Sequence, residues 1–153
     1  MKVARELVHG TCVAFGRRAA LLRGATGTGK SDLALRFMAL PPDGAMKPML
    51  VADDQVFAEA RTSGIVIVSA PPTISGKIEV RGLGIVEVPF QTEAELVLVC
   101  DLMDAKNVPR MPPESPEVTD IAGISLPVLR LAPFEASAPL KLKMALFPVA
   151  SGK

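Results

Sequence analysis

The chain has 153 residues and a mass of 16.1 kDa, with 17 Lys and Arg against 16 Asp and Glu, 49% hydrophobic residues and 22% charged ones. That length holds one domain, residues 1–153, and that balance excludes a disordered chain. Mean hydropathy is +0.36, yet no apolar run approaches the roughly 18 residues that span a bilayer, while the lack of Trp and Tyr and a net charge of +1 argue against a basic, base-stacking nucleic-acid surface.

The chain opens with MKVARELVHGT, which has no uninterrupted apolar segment followed by a small-residue cleavage site, so no secretory signal is visible. Cys12 and Cys100 stand far apart, in neither metal-like nor redox-like spacing. Together these features predict a reduced, cytoplasmic, soluble protein. Charge is unevenly spread: residues 1–40 carry seven Lys/Arg and two Asp/Glu, whereas residues 53–120 carry five and twelve. The first stretch suits an anion and the second a cation or a basic partner, although such blocks are more often solvated faces.

Ala19 to Leu22 reads as a short strand ending at Gly24, and Lys30 to Ala39 as a helix with Leu33, Phe37 and Ala34, Met38 at i,i+4 spacing. Pro41, Pro42 and Gly44 stop it. Met49 to Ala52 is a compact strand running into Asp53 and Asp54. Gln55 to Ala60 and Ile65 to Ala70 flank Arg61-Thr62-Ser63-Gly64 as a hairpin. Lys77 to Arg81 and Ile85 to Pro89 are strand-like around Gly82-Leu83-Gly84, with Glu79 and Arg81 two apart and so expected to pair on one strand face. Leu96 to Leu102, apolar on both faces, suits a sheet centre. Pro109, Pro112, Pro113 and Pro116 dictate a loop, Ile124 to Leu131 is another strand, and Pro139 to Phe147 is a helix with Leu140, Met144 and Phe147 on one side. That last helix is expected to pack, although Lys141 and Lys143 beside an apolar face also suit a contact with a partner. The sum is a strand-rich α/β fold with helices mainly at its flanks.

The strongest motif is GATGTGKS, Gly24 to Ser31, matching G-x-x-x-x-G-K-[ST] between a strand and a helix. Its glycines let the backbone curl until successive N–H groups point inward at a phosphate, and the new helix adds its positive end. Gly24, Ala25, Thr26, Gly27, Thr28 and Gly29 form the cradle, Lys30 reaches the terminal phosphates, and the Ser31 hydroxyl ligates Mg²⁺. Asp53 and Asp54, at the carboxyl end of a strand, supply two acids for two tasks, one near Mg²⁺ and one to accept a proton from an attacking hydroxyl. A polar strand end or an Asx turn is the plain alternative. His9 is the only histidine, and on its own such a residue is more often structural.

VHG at Val8 to Gly10, GATGTGKSDLAL, LVADD at Leu50 to Asp54 and IEVRGLGIVEV at Ile78 to Val88, in this order, resemble the catalytic domain of the HPr kinase/phosphorylase family. The likeness spans about Val8 to Leu102 and is to the short form found in alphaproteobacteria, without the N-terminal domain. It implies a P-loop fold of the phosphoenolpyruvate-carboxykinase-like type with a mixed sheet, and ATP-dependent phosphorylation of a serine of the phosphocarrier protein HPr in regulation of a phosphotransferase system. It also implies the reverse reaction, phosphorolysis of phospho-HPr by inorganic phosphate. By the same resemblance His9 is the active-site histidine, Lys30 the phosphate-loop lysine, and Asp54 the base. Ser31 and Glu79 are metal ligands, with Asp53 left to the metal side, and Arg110 matches a catalytic arginine on a mobile loop. LPVLRLAP at Leu126 to Pro133 departs from the family's PVRPGRN-like segment, which is tied to phosphorolysis, so that activity is expected to be weak or lost. Members form hexamers, and a chain without one domain need not. Two other readings use the same loop: a small-metabolite kinase, which usually carries an arginine-rich lid, and a non-catalytic ATP sensor, which has no need of Asp54.

Overall fold

A computed structural model describes residues 5–148; Met1–Ala4, part of the stretch read above as lacking a signal segment, lie outside it. The chain begins with β1 (Arg5–His9), β2 (Thr11–Phe15) and β3 (Arg18–Arg23), followed by α1 (Lys30–Met38). Next come β4 (Pro48–Ala52), the hairpin β5 (Gln55–Ala60) and β6 (Val66–Ser69), and the pair β7 (Lys77–Val80) and β8 (Gly84–Glu87). The long strand β9 (Ala94–Leu102), then β10 (Val118–Ile121), β11 (Ile124–Leu131) and α2 (Ala138–Leu146) complete it. Every element expected from the sequence is present to within a few residues. Three strands lacked a signal: β1 has four of its five residues exposed, β10 is only four residues long, and β2 has no polar alternation because all five of its residues are buried.

Nine strands form one mixed sheet in the order β1-β5-β6-β9-β3-β2-β4, with β11 added beside β9 and β10 beside β11. As its two-sided apolar pattern implies, β9 is central. It runs parallel to β3 along one edge, and its other edge is shared by β6, antiparallel, and β11, parallel. The strands at opposite ends of this order are joined by very short links: Gly10 between β1 and β2, and Asp53-Asp54 between β4 and β5. The sheet therefore curls until its ends meet, and the two links touch where the Gly10 N–H donates to the Asp54 carbonyl at 2.9 Å. Gly10 has φ +149°, and a Cβ there would lie 2.7 Å from the Leu22 carbonyl oxygen, so this close corner needs glycine.

Side chains alternate between two cores, as the period of two in a strand requires. Cys12, Leu21 and Val99 face one cluster inside the curl with Val51, Val56 and Val66. Val13, Leu22 and Cys100 face the other, which α1 and α2 cover with Leu33, Phe37, Leu142 and Leu146. The rings of Phe37 and Phe147 meet Phe15 edge-on at 6.1 and 6.0 Å. Burial raises the pKa of both cysteine thiols, Cys12 and Cys100, which leaves them unreactive. No helix among the described residues is long and apolar enough to cross a membrane.

One expectation for α2 is corrected. Leu142 and Leu146 are fully buried, whereas Leu140 and Met144 are 53% and 72% exposed. Both pairs satisfy i,i+4 spacing, so periodicity alone could not choose between them. The neighbours decide it: α2 packs against α1 and β3, where Leu142 and Leu146 join the core of Leu33 and Phe37, while Lys143 lies over the Phe15 ring at 4.4 Å and Lys141 pairs with Glu135 at the surface. Leu142→Ala is expected to cost about 3 kcal/mol in chemical denaturation. Met144→Ala should change stability by less than about 0.5 kcal/mol, and a reversed order would restore the original assignment.

Candidate active site

β3, β9 and β11 are mutually parallel, and β4, antiparallel to β2 as β3 is, runs the same way. Their carboxyl ends thus share one edge of the sheet, where open α/β folds place ligands. Gly24, Asp53, Met103 and Ala132 leave from it, and β2 begins there with Thr11.

The loop after β3 has the curl its glycines permit, with Gly27 and Gly29 left-handed at φ +86° and +98°. The Thr28 hydroxyl donates to the Ala25 carbonyl at 2.7 Å and closes the turn. Lys30 folds back over it, its ammonium donating to the carbonyls of Gly24 at 2.7 Å and Ala25 at 3.2 Å. Gly29 is the N-cap of α1 and brings no capping side chain, so the first-turn amides are left for an anion.

Asp53 is the node of the site. It is 8% exposed, and with Thr11 it makes up the buried polar side chains among the described residues. Its Oδ1 accepts from the hydroxyls of Thr11 and Ser31, both at 2.9 Å, and its Oδ2 accepts from the Glu79 N–H at 3.0 Å. One carboxylate thereby ties β2, β4, α1 and β7 together. Asp54 differs in every respect: it is exposed, left-handed at φ +70° rather than extended, and its amide makes only a long contact of 3.4 Å to the Thr11 hydroxyl.

His9 ends β1, exposed, with Gln55 as its cross-strand partner, so it lies at the same corner as Asp54. Glu79 follows the fully buried Ile78, which anchors β7 in the helix-side core and turns the glutamate outward. The expected Glu79–Arg81 pair is not formed among the described residues, because β7 ends at Val80 and Arg81 enters the turn. Arg110 is exposed in the proline loop that leaves the carboxyl end of β9, with nothing among the described residues joining it to the site.

The donor set suits Mg²⁺. Ser31 and Asp53 present hard oxygens 2.9 Å apart beside the glycine-rich loop, and the backbone amide of Glu79 on Asp53 holds that residue next to them. Among the described residues no three His, Cys, Asp or Glu side chains cluster as a metal cage. Mg²⁺ does not need one, since it takes one or two carboxylates together with substrate phosphates and water.

Two features of the site had little or no sequence signal. Thr11 had a faint one, a lone hydroxyl opening an otherwise apolar strand. Arg23, next to the loop, had none: it is held by a bidentate pair with Asp101 at 2.7 and 3.0 Å and by Thr119 at 3.1 Å. The hydrogen bond to Asp101 raises the guanidinium pKa, and the pair balances the charge of Arg23 beside the loop.

A strand, a glycine-rich loop ending in a lysine and a serine, and an acid at the end of the next strand but one define a P-loop α/β fold with a mixed sheet. The HPr(Ser) kinase/phosphatase structure from Coxiella burnetii has the same fold, with a TM-score of 0.72 over 91% of this chain and 92% of that one, at 23% identity. The family model described as the HPr serine kinase C-terminal domain matches residues 2–134, and the chain belongs to that family. Similar relatives are the HPr kinase/phosphorylases of Exiguobacterium sibiricum, 31% identical over 62% of this chain, and of Lactobacillus delbrueckii subsp. bulgaricus, 35% identical over 64%. The chain matches 31% of the length of each of these relatives.

Proposed function

We propose that this chain is an ATP-dependent, Mg²⁺-requiring kinase of the cytoplasm that phosphorylates a serine of an HPr-type phosphocarrier protein and so regulates a phosphotransferase system. The observation that carries this is the Ser31–Asp53 hydrogen bond, which locks the phosphate loop to the acidic strand end where chemistry would occur. Family membership supplies the acceptor class.

In this reading the loop amides and Lys30 bind the β- and γ-phosphates and balance the charge that spreads over the γ-oxygens during in-line transfer. Ser31, Asp53 and Glu79 would hold Mg²⁺, which when bound would neutralise phosphate charge. The substrate serine oxygen forms a bond to Pγ as the bond from Pγ to the bridging oxygen of ADP breaks. Asp54, exposed and without the hydrogen bonds that occupy Asp53, takes the hydroxyl proton. His9 flanks that acid at the sheet corner, and Arg110, exposed on the proline loop, is the arginine that would have to reach the phosphoryl group.

In this reading the kinase direction is kept and phosphorolysis is weak or lost, because Leu126 to Pro133 lacks the Gly-Arg-Asn ending of the family's segment. The test incubates the chain with Mg²⁺, ATP labelled at the γ-position and a panel of HPr-type carriers, then maps the modified residue. Label on a carrier serine is expected. Label passed instead to a small alcohol, or ATP bound with no transfer, would refute it. Rapid pyrophosphate release from phospho-HPr and phosphate would overturn the one-directional assignment.

A further inference from the structure

The chain has six phenylalanines and no Trp or Tyr. Phe15 and Phe37 are fully buried, but Phe134 is 69% exposed. It is nevertheless held in place. A Cβ on Gly29 would come within 2.8 and 2.9 Å of the Phe134 Cζ and Cε1 atoms, so the ring rests directly on the last glycine of the phosphate loop. Arg36 of α1 grips the backbone on both sides of it, donating to the Pro133 and Glu135 carbonyls, and is itself paired with Asp32 at 2.9 Å. Lys141 fastens the Glu135 carboxylate. β11 delivers this segment to the loop because it runs parallel to β9 and ends on the same edge as β3.

A large apolar ring pinned in an exposed position forgoes most of its own burial, and its free surface adjoins the one place where a phosphate chain would lie. Phosphates seated on the loop amides and the α1 N-terminus leave the rest of a nucleotide tethered a few bonds away. We propose that Phe134 is a nucleoside-positioning residue whose exposed ring receives the base of the nucleotide held by the loop. The inference rests on the nucleotide-binding part of the proposed function. Stacking of this kind recognises any π-face, so it serves ATP and GTP alike.

The test compares three probes, ATP, GTP and inorganic tripolyphosphate, on the whole chain by calorimetry. Phe134→Ala is expected to weaken ATP and GTP by a similar factor, about ten- to a hundredfold, and to leave tripolyphosphate unchanged. Equal weakening of all three would make Phe134 only a prop for Gly29, and unchanged ATP affinity would remove its role; either result overturns the inference. If the unaltered chain binds none of the three, the phosphate-loop reading itself fails and this one falls with it. Because the sequence contains no Trp or Tyr, Phe134→Trp also creates a single fluorescent reporter. Its emission should change with ATP and stay constant with tripolyphosphate; the same response to both would count against the proposal.

Discussion

Asp54→Asn is expected to slow phosphotransfer by about 10²- to 10⁴-fold, the usual contribution of a single general base, while ATP affinity and melting temperature stay near those of the unaltered chain. Asparagine is the right replacement because position 54 is left-handed at φ +70°. Asn tolerates that region, whereas most residues would add about 1–2 kcal/mol of strain. The neighbouring aspartate provides the contrast. Asp53→Ala removes the acceptor for three donors, including the hydroxyl of the fully buried Thr11, and should lower stability by about 1–3 kcal/mol along with activity. Single-turnover rates, ATP titrations and thermal melts on both variants separate the two acids. An Asp54→Asn protein that transfers phosphate at the original rate would remove the base assignment.

Lys30→Ala is expected to damage both binding and turnover, with the transfer step alone reduced about 10²- to 10³-fold by loss of a cation aimed at the phosphoryl group. The fold should survive, since the ammonium's partners are the exposed carbonyls of Gly24 and Ala25, which water can serve instead. Lys30→Arg should not rescue the activity, because a planar fork cannot occupy the place of a compact ammonium within the curl of the loop. Measured together, ATP affinity and rate distinguish the roles: both fall for Lys30, and only the rate falls for Asp54. Unchanged ATP affinity in Lys30→Ala would show that the nucleotide lies elsewhere.

The fate of α2 shows where periodicity stops being informative. Leu140 and Met144 repeat as regularly as Leu142 and Leu146, and only the packing of α2 on α1 and β3 fixes which pair is buried. β2 was hidden for a related reason. A strand buried on both faces loses the alternation that would announce it, and its register is set by β3 and β4 rather than by its own residues.

The conformation of the Gly24–Ser31 loop was fully legible, because it depends on glycines and a lysine–serine pair within eight residues, and such short-range backbone geometry is written directly into residue type. The acidic pair at Asp53-Asp54 was legible as a pair, and so were two separate tasks for it, but the contrast in their surroundings was not. It arises from donors 42, 22 and 26 residues away that all converge on one of the two carboxylates. The same holds for Phe134, which stands about a hundred residues beyond Gly29 and reaches it only because β11 pairs in parallel with β9. Local sequence fixes how a segment bends and which groups it carries; which distant groups then share a desolvated point is decided by sheet order and packing, which no segment encodes alone.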